Sequence, residues 1–211
     1  MPSLDVGRST FDVGRSRRCH RLVVISPEAE DAREHTVLVQ LFAAGLTSYH
    51  LRKPSWTREQ FAAWLRALPA EFYPRIVLHS HHDLAAEFRV GGVHNAPTAT
   101  PFAPLRSHAV HSLVELRGLL DARARLLFSP VFASISKPGY GPAFGHEELR
   151  SALALPRRAE VIALGGIDVS RIPACGYLGF DGVAVLGAIW QSSDPLRVFN
   201  ELQNVLHAHA A

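Results

Sequence analysis

Histidine, arginine, lysine and paired glycine recur in this 211-residue chain at one kind of place, directly at or after the end of a short apolar run. His50, Arg52 and Lys53 close the run that starts at Ser48. His79-Ser80-His81-His82-Asp83, His94-Asn95 and His111-Ser112 end the next three, and Ser134, Ser136 and Lys137 follow Leu126–Ala133. The last two runs end in Gly165-Gly166 and in Gly187. Imidazole moves protons near neutral pH and ligates metals. Glycine lets backbone N–H groups approach an anion. Lysine is scarce, at two residues against twenty arginines. A compact, mobile ammonium kept after an apolar run is therefore a candidate for gripping an anion in a way a planar guanidinium does not.

These residues need elements that bring run ends together. Strand-like runs fall at Leu22–Ser26, Ser48–Leu51, Arg75–His79, Gly92–His94, Ala109–His111, Arg125–Ser129, Val161–Leu164 and Gly182–Leu186. Helical spacing appears between most of them. Glu28–Ala44 offers Val37, Leu38, Leu41 and Phe42; Thr57–Leu68, with Thr57 as N-cap, offers Phe61, Trp64, Leu65 and Leu68. Asp194–His207 closes the chain as a helix with Pro195 in its first turn. Eight nearly all-apolar strands alternating with helices predict a parallel sheet covered on both faces. The count predicts an α/β fold, a single (β/α)₈ TIM barrel over residues 21–211; a doubly wound open sheet is the alternative. Catalytic groups then gather at the C-terminal strand ends, and phosphate binds after strands 7 and 8.

Composition bounds the partners. Residues 1–20 form a separate segment in which Asp5-Val6-Gly7-Arg8-Ser9 recurs as Asp12-Val13-Gly14-Arg15-Ser16. It offers no apolar face and is expected to be a flexible tail. Residues 1–21 hold five arginines and two aspartates, so they carry the whole net charge of +3. The remainder balances at seventeen basic and seventeen acidic side chains, which argues against a nucleic-acid-binding face. No run approaches the roughly 18 apolar residues of a membrane span, and no signal-peptide core opens the chain. Cys19 and Cys175 are too few, one in the tail and one in the body, for a disulfide framework. A reduced, cytoplasmic protein is expected.

Four motifs in order, His-Ser-Leu-Val-Glu-Leu (111–116), Leu-Leu-Phe-Ser-Pro-Val-Phe (126–132), Val-Ile-Ala-Leu-Gly-Gly-Ile (161–167) and Gly-Val-Ala-Val-Leu-Gly-Ala-Ile (182–189), resemble the thiamine phosphate synthase/TenI superfamily of (β/α)₈ barrels. The resemblance runs from Leu22 to the C-terminus. It implies one of two activities: joining a pyrimidine diphosphate to a thiazole phosphate with Mg²⁺, or the aromatising tautomerisation of a thiazole carboxylate phosphate. It also implies that Gly165, Gly166 and Gly187 hold a phosphate, and that Ser134-Ile135-Ser136-Lys137 stands for the synthases' Thr-x-Thr-Lys loop. The synthases' Gln-Leu-Arg-Glu-Lys appears as His50-Leu51-Arg52-Lys53-Pro54, with the lysine one position early. Their Asn-Asp after strand 3 aligns with His79-Ser80, and their strand-4 aspartate falls in Asn95-Ala96-Pro97-Thr98. Both Mg²⁺ carboxylates are missing, and serine or threonine replaces them poorly.

By this resemblance the chain is expected to be a TenI-like tautomerase, an isomerase in which His111 matches the family's proton-shuttling histidine. His50, Arg52, Lys53, His79, Ser134, Ser136, Lys137, Gly165, Gly166 and Gly187 would bind the thiazole phosphate. The synthase, a transferase needing Mg²⁺, is the alternative, and a non-catalytic thiazole-phosphate binder is a third reading. No metal or other cofactor is expected on the main reading; a zinc site built on His79 and His81 with His94 and His111 is disfavoured because no strand-7 or strand-8 aspartate could act as base. The expected partners are the thiazole phosphate, a thiazole-forming enzyme and further copies of the chain in a homo-oligomer, with no nucleic acid and no membrane.

Overall fold

The computed structural model describes residues 19–100, 104–133 and 144–210. Eight parallel strands close into a barrel in sequence order: β1 Arg21–Ile25, β2 Tyr49–Leu51, β3 Ile76–Leu78, β4 Gly92–His94, β5 Leu105–Val110, β6 Arg125–Phe128, β7 Glu160–Leu164 and β8 Gly182–Val185. The last strand pairs with the first through Arg21↔Gly182 and Val24↔Val185, so no edge is left open. The helices are α1 Glu34–Ala43, α2 Arg58–Ala67, α3 Leu84–Phe88, α4 Leu113–Leu119, α5 His146–Leu153, α6 Ile172–Leu178, α7 Gly187–Trp190 and α8 Pro195–Ala210. This is the predicted TIM barrel. Among the described residues no helix is long and apolar enough to cross a membrane.

Alternation along the strands sorts the side chains into two layers. Val23, Ile25, Leu127, Ile162 and Ala184 fill the barrel interior, and the larger apolar cluster lies between strands and helices. At the N-terminal end, Arg125 donates from Nη1 to Ser48 Oγ (2.8 Å) and pairs through Nε with Glu160 Oε2 (2.6 Å). Glu160 Oε1 takes a second bond from Arg21 Nε at 2.7 Å.

Three boundaries differ from expectation. β5 begins at Leu105, not at Ala109, because its polar residues are satisfied: Arg106 donates to the carbonyls of Pro97, Thr98 and Thr100, and Ser107 meets His94. The first helix starts at Glu34, not Glu28. Arg33 instead pairs with Asp31 (2.8 Å) and reaches the carbonyls of Trp190 and Ser192, docking the segment on the β8 side. Cys19, assigned to the tail, is 2% exposed, and His20 and Arg21 both donate to Asp181 O, so the ordered body begins before residue 21. Thr57 caps α2 as expected, with a reciprocal bond to Gln60.

Candidate active site

β2, β3 and β4 deliver three imidazoles to one point at the C-terminal end of the barrel. His50 lies inside β2 and is fully buried, His79 follows β3, and His94 ends β4. His50 Nδ1 lies 2.9 Å from His79 Nε2, and the rings of His79 and His94 stack at 4.0 Å. Burial holds the His50 imidazole well below the usual range, with charges at His79 and His94 adding to it. Burial also brings His79 down to about 2, helped by His94 and Arg52, and His94 down to about 4, helped by His108 and His82. All three are therefore neutral at physiological pH. His94 was not among the expected phosphate-binding residues; the sequence offered it as a strand-end histidine and in the disfavoured zinc reading.

The neighbouring histidines serve the loops. His81, in the left-handed region at φ 50°, donates to Trp56 O at 3.0 Å, and His82 donates to His94 O at 3.0 Å. Both are half-buried.

Beyond β2 the alternation splits Arg52 from Lys53. Arg52 stands at the mouth, paired with Glu28 from the loop after β1. Lys53 turns the other way. Its Nζ is buried against Glu34 Oε2 (2.6 Å) and Ala29 O (3.1 Å), under the Trp56 ring. Glu34 Oε1 accepts from Tyr49 OH at 2.7 Å. Burial raises the Glu34 carboxyl even though Lys53 and Tyr49 both hold it down. The expectation that Lys53 grips substrate is thus replaced by a structural ion pair between the β2 loop and α1. A one-residue offset on an extended segment reverses the face, which is why an early lysine cannot substitute for a later one.

At the opposite side, Gly165 and Gly166 both adopt left-handed backbone, with φ 98° and 64°. A Cβ at Gly166 would lie 2.4 Å from Ala133 O, so glycine is required by space as well as by conformation. Arg171, which the sequence analysis missed, donates to Gly166 O and stands over the Phe132 ring at 5.1 Å. It places a cation beside the glycine pair from the 3₁₀ turn five residues on. Gly187 opens α7, a short extra helix after β8 of the kind that binds phosphate in these barrels. Trp190 Nε1 ties that helix to Ile25 O at 2.7 Å.

His111 follows β5 and is exposed. Its Nδ1 meets Ser129 O at 3.0 Å, and since a carbonyl only accepts, Nδ1 carries the proton and Nε2 is left as the base. Its backbone N–H is held by Glu115 Oε2 at 2.7 Å. Ser134, Ser136 and Lys137 lie outside the described residues.

The Mg²⁺ that the resemblance implies does not fit this donor set. The cluster of ligand-type side chains among the described residues is three imidazoles. Asp83 is bound by Arg58 Nε at 2.6 Å, and Asn95 Oδ1 accepts from Ala109 N at 2.9 Å. Mg²⁺ prefers hard oxygen ligands, usually including one or two carboxylates.

The fold and these strand ends define a parallel barrel whose mouth has a glycine-lined half and an imidazole-rich half. The family profile described as thiamine monophosphate synthase matches residues 22–189, and the chain belongs to that family. A thiamine-phosphate synthase of Lysinibacillus sphaericus is 28% identical over 80% of this chain and 88% of its own length. A putative thiamine-phosphate synthase of Geobacter sulfurreducens is 30% identical over 72% of this chain and 78% of its own. The crystal structure of a thiamine phosphate pyrophosphorylase from Bacteroides thetaiotaomicron superposes with a TM-score of 0.77 at 26% identity, covering 90% of this chain and all of that one.

Proposed function

We propose that the chain acts in thiamine biosynthesis as a thiamine-phosphate synthase, with a thiazole phosphate seated at the glycine half of the mouth. The shared name of its relatives supports the transferase over the isomerase reading. The observation that carries the substrate class is the Gly165-Gly166 pair, held in left-handed backbone, with Gly187 opening the short helix after the neighbouring strand β8. Backbone N–H groups there would bind the phosphate, with Arg171 adding charge from behind. In the reaction, the thiazole nitrogen lone pair forms the C–N bond to the pyrimidine methylene carbon as the C–O bond to diphosphate breaks. The diphosphate leaves with the electron pair. Arg52 at the mouth would meet that developing charge, and by the resemblance Lys137 with Ser134 and Ser136 would do so too.

A second reading rests on His111. Its proton is fixed on Nδ1 by Ser129 O, so Nε2 could take a proton from one substrate atom and return it to another, as a tautomerase requires. One assay separates the readings. Purified protein receives pyrimidine diphosphate and thiazole phosphate with Mg²⁺ or with a transition metal, and separately the thiazole carboxylate phosphate tautomer. Thiamine phosphate formation lost in Gly166→Ala supports the synthase. Tautomer conversion lost in His111→Ala, with no thiamine phosphate under any metal, overturns it in favour of the isomerase. Thermal stabilisation by thiazole phosphate without turnover of either substrate marks a non-catalytic binder and overturns both.

A further inference from the structure

Buried imidazoles in a barrel interior ordinarily find hydrogen-bond partners. Here His50 Nε2 is buried with none among the described residues, and its other nitrogen faces a second imidazole rather than a carbonyl or carboxylate. We propose that His50, His79 and His94 form a binding site for a zinc-type divalent transition metal at the ends of β2, β3 and β4. One ligand atom from each ring lies within 4.8 Å of the others. Two imidazole nitrogens on one tetrahedral zinc, each at about 2.0–2.1 Å, stand about 3.3 Å apart. The His50 and His79 nitrogens are already 2.9 Å apart around one shared proton, which the metal would displace.

The surroundings prepare the ligands. Ser107 Oγ lies 3.4 Å from Val93 O, to which its hydroxyl donates, so it accepts the Nδ1 proton of His94 at 2.9 Å. That bond fixes the tautomer and leaves His94 Nε2 with its lone pair, as outer partners do for metal-bound histidines. The nearest mouth guanidinium, Arg52, is neutralised by Glu28.

Donor chemistry selects the ion. Three imidazoles without a carboxylate suit Zn²⁺, Co²⁺ or Ni²⁺ and are poor for Mg²⁺. Three protein ligands also leave tetrahedral zinc a fourth position for water or a substrate oxygen, the pattern of reactive rather than structural zinc sites. This site does not depend on which reaction the mouth performs.

The test uses the full chain, stripped with a chelator and titrated with Zn²⁺, Co²⁺ and Mg²⁺ by calorimetry, with the visible spectrum of the Co²⁺ form recorded. The expected result is one Zn²⁺ or Co²⁺ per chain, tetrahedral Co²⁺ bands, and no Mg²⁺ uptake at the same concentrations. His79→Gln, at the partly exposed ligand, should abolish the bands. Ser107→Ala should keep them and weaken binding about 10- to 100-fold. Circular dichroism of the metal-free variants checks that each is folded. Failure of the wild-type chain to take up a stoichiometric transition metal overturns the site, as do bands and stoichiometry that survive His79→Gln.

Discussion

The two ends of the barrel both carry buried polar groups, and they treat them in opposite ways. At the N-terminal end, Arg125, Glu160, Arg21 and Ser48 satisfy one another across the strands. At the C-terminal end, His50, His79 and His94 crowd together, and one ring nitrogen is left bare. A closed network holds a fold; an open one leaves valence for something from outside. That division matches the general rule that this fold keeps stability at the bottom of the barrel and chemistry at the top.

The outer face of β2 gives the largest test of the difference. Lys53 and Glu34 are 0% and 3% exposed, so Glu34→Gln leaves a buried ammonium without its counter-charge. Loss of one partner of such a pair costs about 3–5 kcal/mol, and urea unfolding should show it. Lys53→Met with Glu34→Gln should recover most of that loss, because the unpaired charge is gone. A small effect of Glu34→Gln alone would mean that Lys53 reorients to the mouth, restoring it as an anion ligand.

Next comes the closed end itself. Arg125→Met strips Glu160 of its inner partner and leaves Ser48 without the guanidinium. Glu160 keeps Arg21 and is a quarter exposed, which lowers the expected cost to about 2–3 kcal/mol. Turnover per folded molecule should not change. A fall in turnover with unchanged stability would break the division between the ends.

Much of this was legible in the sequence, and the failures share a cause. The barrel followed from eight apolar runs, and the histidine-bearing strand ends could be named from them. What could not be read was facing. His50 and Lys53 lie three residues apart in one motif, yet one enters the barrel and the other leaves it. The β5 start was hidden because Arg106 and Ser107 look like loop residues until their partners from the preceding segment are known. Arg171 escaped because its relation to Gly166 is set by a 3₁₀ turn, a geometry that leaves little periodic trace.

A pH-dependent effect concerns Cys19, just before β1. Burial pushes its thiol up to about 12, with the Asp181 charge adding to it. The folded chain therefore keeps a proton that the unfolded chain gives up near pH 8.5. This stability contribution is whole below that value and is lost as pH rises toward 12, by about 1.4 kcal/mol per pH unit. Unfolding free energies measured on both sides of the free-thiol value should fall less steeply in Cys19→Ala. Identical slopes in the two proteins would show that the thiol is not held neutral.

The smallest expected effect is the most informative about the open end. His50→Leu removes a fully buried imidazole, and in an ordinary core that would leave its partners unsatisfied. Here the partner lost is His79, which is partly exposed and can turn to water, while the bare Nε2 disappears together with its desolvation cost. The two changes oppose each other, so the metal-free protein should shift by no more than about 1 kcal/mol in either direction. The contrast with Arg125→Met then measures the difference between the ends directly. A loss for His50→Leu as large as that for Arg125→Met would mean that the histidine cluster is itself a closed structural network. In that case the top of the barrel would be no freer to take a ligand than the bottom.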